Sequence, residues 1–151
     1  RFDLGAVWFL LRKHSYQGKL TYIDELGETK IIEGKFIHFW ACNTSWASEN
    51  TFSSKLSKLN DGYIYISYIL EPLNRCKLLQ VLLKMNKGEY VFDKNVKYIK
   101  TKQFNLQTRD GKIVIDGELK DLRNINCKLI PNKIKYLSSF FVAFFTSFFI
   151  I

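Results

Sequence analysis

Between residues 16 and 70 glycines and one Asp-Gly pair cut the chain into short runs rich in β-branched and aromatic residues, the breaks falling at Gly18, Gly27, Gly34 and Asp61-Gly62. Such runs favour extended backbone and such breaks favour turns, so the chain is constrained to a fold dominated by antiparallel strands. The pattern predicts strands over 18–23, 30–42 and 63–70. In Tyr63-Ile64-Tyr65-Ile66-Ser67-Tyr68-Ile69 the period of two puts isoleucines on one face and tyrosines and serine on the other, predicting one dry and one amphipathic face. Further strands are expected over 96–106, 112–115 and 126–130, with Asp110-Gly111 marking a tight hairpin.

Two stretches have helical character instead. Residues 2–14 hold a dense apolar run ending in Arg12-Lys13, which suits a buried helix with cations at its C-terminal end. Asn74 is a good N-cap for a second helix, in which Leu78, Val81, Leu82 and Met85 recur at i, i+3, i+4, i+7 and Gly88 supplies the stop. The expected fold class is α+β and strand-rich, an antiparallel β-sandwich or barrel-like domain with two or three packed helices. One domain is expected over 1–137, followed by a charge-free hydrophobic tail over 138–151 that contains Phe140, Phe141, Phe144, Phe145 and Phe148. The tail is shorter than the roughly 20 apolar residues of a spanning helix.

Three widely spaced cysteines, Cys42, Cys76 and Cys127, form neither a Cys-x-x-Cys pair nor a disulfide framework, and point to a reducing, cytoplasmic compartment. His14 and His38 have no ligand at metal-binding spacing and are read as ordinary residues. The net charge of +9 calls for an anionic partner, whether nucleic acid, an acidic membrane or a phosphorylated small molecule. No ribonucleoprotein-type aromatic motif accompanies the charge, so nucleic acid is not expected. The chain starts at Arg1 without methionine or signal peptide, which reads as a cut.

Three stretches then carry a resemblance. They are Arg1-Phe2-Asp3-Leu4-Gly5 with Tyr16-Gln17-Gly18-Lys19-Leu20-Thr21-Tyr22; Asn43-Thr44-Ser45 through Asp61-Gly62-Tyr63 into the helix before Gly88; and Tyr98-Ile99-Lys100-Thr101-Lys102-Gln103-Phe104 with Val114-Ile115-Asp116-Gly117-Glu118. In order and spacing they resemble the C-terminal domain of the lipid kinase family that contains sphingosine kinases, ceramide kinases and bacterial diacylglycerol kinases. The first pair is similar to sphingosine kinases in particular. The family's Gly-Gly-Asp-Gly-Thr phosphate loop is not in this sequence, so the resemblance implies a separate nucleotide-binding half.

What the resemblance implies for single residues can be stated beside what the residues alone suggest. Asp116 and Gly117 would contact ATP, Arg1 would reach its phosphates, and Glu118 matches a proposed general base of the bacterial relatives; alone, Asp-Gly-Glu is a strand-end turn. Phe2, Leu78, Val81, Leu82, Met85 and Tyr90 would border the alkyl chain; alone, the helix stripe is core. Asp61 would hold Mg²⁺; alone, it is a turn residue. The implied cofactors are ATP and Mg²⁺, and the implied partners a sphingoid base or related lipid and an anionic membrane surface. Lys97, Lys100, Lys102, Lys112, Lys128, Lys133 and Lys135 are a solvated surface that would also favour peripheral association with that membrane. Homodimerisation stays open, as does a non-catalytic lipid-binding role or a diacylglycerol or ceramide acceptor.

Overall fold

The computed structural model describes residues 14–48, 51–52, 54–58, 61–85, 87–110, 112–130 and 148–150. The expected first helix, with Arg1 and Phe2, lies outside them, as does most of the tail.

The centre of the fold is a long strand, β2 (Thr29–Cys42), which changes partners along its length. Its first half pairs antiparallel with β1 (Tyr16–Ile23), joined through a turn in which Asp24 Oδ1 accepts from the Leu26 and Glu28 amides. A register irregularity between Phe36 and His38 then inserts one residue, and the second half pairs with β5 (Ile64–Leu70). Such a bulge bends a strand and reverses which side chains face which way. Phe36, Phe39 and Ala41 accordingly join one core, and Ile37, Trp40 and Cys42 a second.

β5 pairs with β6 (Lys97–Thr101) and β1 with β7 (Gln103–Thr108), which also carries β10 (Asn124–Lys128). The strand expected over 96–106 is thus two strands broken at Lys102. Thr101 Oγ1 explains the break: it lies 2.7–2.8 Å from the Ile23 and Gln103 carbonyls, with one proton to donate between them, and accepts from the Gln103 amide, turning the chain from one partner to the other. The bent nine-stranded sheet wraps the first core without closing into a barrel. A separate two-stranded ladder joins β3 (Trp46–Ser48) to β4 (Thr51–Phe52).

Both faces of β5 are buried, which corrects the expectation of an amphipathic face. Ile64, Ile66 and Tyr68 enter the first core, whereas Tyr65 and Ile69 enter the second, under a helix, so Tyr68 and Ile69 each lie on the face opposite to the one expected. That helix, α1 (Arg75–Met85), is the only α-helix among the described residues. Asn74 caps it as expected, its Oδ1 2.8 Å from the Lys77 amide. Gly88 ends it with φ 63°, where a Cβ would lie 2.7 Å from that of Phe52. A 3-10 turn (Glu89–Phe92) follows and buries Tyr90 and Val91 beside α1.

β8 (Ile113–Ile115) and β9 (Glu118–Lys120) form a hairpin at the sheet edge. The strand β11 (Phe148–Ile150) lies between β8 and β2 and joins the hairpin to the rest. Residues 148–150 of the apolar tail are therefore sheet.

Candidate functional site

The Asp116-Gly117-Glu118 motif occupies the β8–β9 hairpin. Ile115 pairs with Glu118, leaving Asp116 and Gly117 as a two-residue loop. Their φ values, 50° and 85°, are both positive, as a type I′ turn requires. A tight hairpin is therefore here, whereas β7 and β8, the strands on either side of Asp110-Gly111, pair with other strands; Gly111 itself lies outside the described residues. A Cβ on Gly117 would meet no atom within 4 Å, so the backbone at the apex is open to a ligand.

Glu118 is the first residue of β9, its side chain 72% exposed and 2.5 Å from Lys120 Nζ on the same face of the strand. The Lys120 ammonium holds its carboxyl below the ordinary value. A general base works best with a pKa near the operating pH. Glu118 is shifted away from that range, and the cation it engages here is Lys120. Mg²⁺ is commonly held by one or two carboxylates with substrate phosphates completing the shell. Asp116 within the turn and Glu118 beside it supply that number of carboxylates, and a cation there would have to displace Lys120 from Glu118.

Gly117→Ala is expected to cost about 1 kcal/mol of stability through backbone strain alone, since nothing crowds the site. Gly117→Asn should recover most of it, because asparagine tolerates positive φ. Denaturant midpoints of the two variants check this; equal losses would show that backbone conformation does not decide the position.

Of the expected lipid-side residues, the described ones lie together at α1 and the 3-10 turn after it. Leu78, Val81 and Tyr90 are buried in the second core, and Leu82 and Met85 pack against it while keeping some surface. An open groove of about 500 Å³ lies elsewhere, lined by Tyr22, Glu25, Tyr65, Tyr98 and Lys100. Asp61 accepts from the Tyr63 amide at 3.2 Å and from the Tyr65 hydroxyl. Among the described residues no group of three His, Cys, Asp or Glu side chains gathers around it or elsewhere. Its geometry is that of a turn residue.

Beneath α1 lies a polar chain that pattern reading passed over. Ser67 Oγ is 3.2 Å from the Tyr90 hydroxyl and 3.5 Å from His38 Nε2. The Tyr90 ring stacks on Trp40 at 6.3 Å and meets His38 edge-on. Desolvation lowers the His38 pKa to about 4 and raises that of the Tyr90 phenol, so both are neutral at pH 7. The available signal was register: His38 alternates with Trp40 and Cys42 on the face of β2 that α1 covers.

No protein-family model matches the chain. It is 31% identical over 112 residues to sphingosine kinase 2 of Arabidopsis thaliana, covering 69% of this chain and 23% of that protein. It is 27% identical over 120 residues to sphingosine kinase 1 of Caenorhabditis elegans, covering 77% of this chain and 25% of that one. The chain thus spans about a quarter of the length of these curated relatives. In fold it is similar to a Bacillus anthracis str. Sterne protein assigned as a diacylglycerol kinase, with a TM-score of 0.60 at 16% identity over 86% of this chain and 43% of that one. A second diacylglycerol kinase structure from that strain gives a TM-score of 0.56 at 14% identity, covering 84% and 44%.

Proposed function

We propose that this chain, which belongs to the lipid kinase family of the sphingosine and diacylglycerol kinases, is the lipid-side half of an ATP-dependent sphingoid-base kinase. The observation that carries the choice of acceptor is the 31% identity to a sphingosine kinase across 69% of the chain. The structures of similar fold support the architecture and leave the acceptor to that sequence likeness.

In this reading the primary hydroxyl of the base attacks the γ-phosphorus of ATP, a new oxygen–phosphorus bond forms, ADP leaves, and the hydroxyl proton passes to a carboxylate. ATP supplies the phosphoryl group and Mg²⁺ offsets its charge. Asp116 and Gly117 meet the nucleotide at the open turn, and Glu118 holds the cation or takes the proton. Leu82 and Met85, which keep surface beside the second core, border the alkyl chain, and the adaptable thioether of Met85 suits such a wall. Arg1, beside the phosphates, and Phe2, beside the lipid, complete the set from outside the described residues. The enzyme would work in the cytoplasm at a membrane surface.

The purified chain is expected to take up radiolabelled sphingosine with an affinity that barely changes as salt rises from about 50 to about 200 mM, a range over which phosphate-contact binding collapses. Incubated alone with ATP and sphingosine it should transfer no phosphate. Absence of uptake would sink the lipid reading, and phosphorylation by the isolated chain would sink the division into two halves.

A further inference from the structure

We propose that the outer face of α1, centred on Leu79 and Leu83, is a docking surface for an anionic lipid bilayer. Burial of Leu78 and Val81 against the second core turns Leu79 and Leu83, one helical turn apart, toward solvent, where they are 41% and 70% exposed. Phe92, 63% exposed, sits on the 3-10 turn next to Asp93, which the Lys84 ammonium ties to the helix at 2.6 Å. Apolar side chains grouped in this way mark an interaction surface.

The charges around them select the partner. Lys84 is matched by Asp93, and Glu89 by Lys55. Arg75, Lys77, Lys87 and Lys94 are exposed, and none makes an ion pair among the described residues. Leucines and a phenylalanine set among uncompensated cations complement a surface that is anionic at the headgroups and apolar just beneath. A nucleic acid would leave the leucines unmatched, and an apolar protein patch would leave the cations unmatched. With 11 residues α1 is too short to span a bilayer and would lie in its interface. The inference stands apart from the kinase reading, since it uses the face of α1 turned away from the core.

Cys76 lies on the same exposed stripe, three residues before Leu79, while Cys42 is buried and Cys127 half-buried. An environment-sensitive fluorophore on Cys76 therefore reports from this face in the full chain. With phosphatidylcholine vesicles containing about 30% phosphatidylserine its emission should shift blue and be quenched by nitroxide-labelled lipid, and with phosphatidylcholine alone neither should occur. Leu79→Glu with Leu83→Glu should lower vesicle partitioning at least about tenfold. Lys87→Glu with Lys94→Glu should lower it at least about fivefold per site. Leu26→Glu, on the 86% exposed β1–β2 turn, should change nothing. Partitioning that survives Leu79→Glu with Leu83→Glu while the Cys76 probe stays unshifted would assign attachment to the apolar segment 138–151 and overturn the proposal. A dimer in the absence of lipid that Leu83→Glu dissociates would overturn it in favour of a second copy of the chain.

Discussion

Leu78→Ala is expected to lower the free energy of unfolding by about 2–5 kcal/mol, because Leu78 has no exposed surface and its loss leaves a cavity between α1 and β5. Leu82→Ala and Met85→Ala should cost less than half as much, since both side chains already touch solvent. For sphingosine uptake the ranking should invert. A side chain that packs wholly inside the core cannot touch a lipid, whereas one that keeps surface beside the core can. Leu82→Ala and Met85→Ala should weaken uptake about tenfold at unchanged fold, one methylene being worth about 0.8 kcal/mol when buried. Urea midpoints and sphingosine titrations on the three variants separate the two roles. If Leu82→Ala destabilised the chain as much as Leu78→Ala and left uptake untouched, the whole stripe would be core and the lipid wall would have to be sought elsewhere.

That contrast shows where pattern stops being informative. A helical stripe at i, i+3, i+4, i+7 says that Leu78, Val81, Leu82 and Met85 share a face; it does not say how deep each lies. The depth is set by β5 beneath, and β5 itself was half legible. Its alternation was plain, but the burial of its second face depends on α1 and the 3-10 turn, which cover Tyr65 and Ile69 from farther along the chain. Polar tips made that face look wet. Here the Tyr65 hydroxyl finds Asp61, and Ser67 finds Tyr90, so polar groups are buried with partners.

The same logic explains the strands. β1 and the core of β2 were legible because alternating residues and the Gly27 turn are local signals, whereas Gly18 and Gly34, expected as breaks, lie inside the two strands and pair with each other. The bulge at Ile37 and the corner at Thr101 were not. The first is a one-residue slip between partners, and the second rests on a hydroxyl bonded to Ile23, far away in sequence. Asp110-Gly111 and Asp116-Gly117 are equivalent hairpin signals by composition. Only pairing partners decide between them: β8 has β9 within two residues, and β7 has β1 and β10. The Asp-Gly-Glu motif was thus located by resemblance, and its exposed, ion-paired Glu118 is a property only the coordinates give.

Stability should fall as pH drops from about 6.5 to about 4, and His38 should be the cause. Its pKa is about 4 in the folded chain and about 6.5 when solvated, so the unfolded chain binds the proton first. The neutral ring is therefore the folded form, its contribution is fully present above pH 6.5, and it is lost by pH 4. A shift of that size corresponds to about 3 kcal/mol. Lowered carboxylate pKa values at Glu33, Asp93 and Glu118 act in the same direction but start from ordinary values of 4.5, 3.8 and 4.5, so their loss is concentrated at the acid end. Protonation would place a cation among Trp40, Ser67 and Tyr90, against the 3-10 turn that carries Tyr90. Opening in this range should accordingly begin at the 3-10 turn and the α1 helix it packs on. Unfolding free energies at pH 7, 5.5 and 4 for the parent chain and for His38→Gln test this. His38→Gln should abolish most of the decline between about pH 6.5 and 4.5 and keep the steeper decline below it. An unchanged profile in the variant would mean that His38 reaches solvent when it takes its proton, and that α1 stays closed.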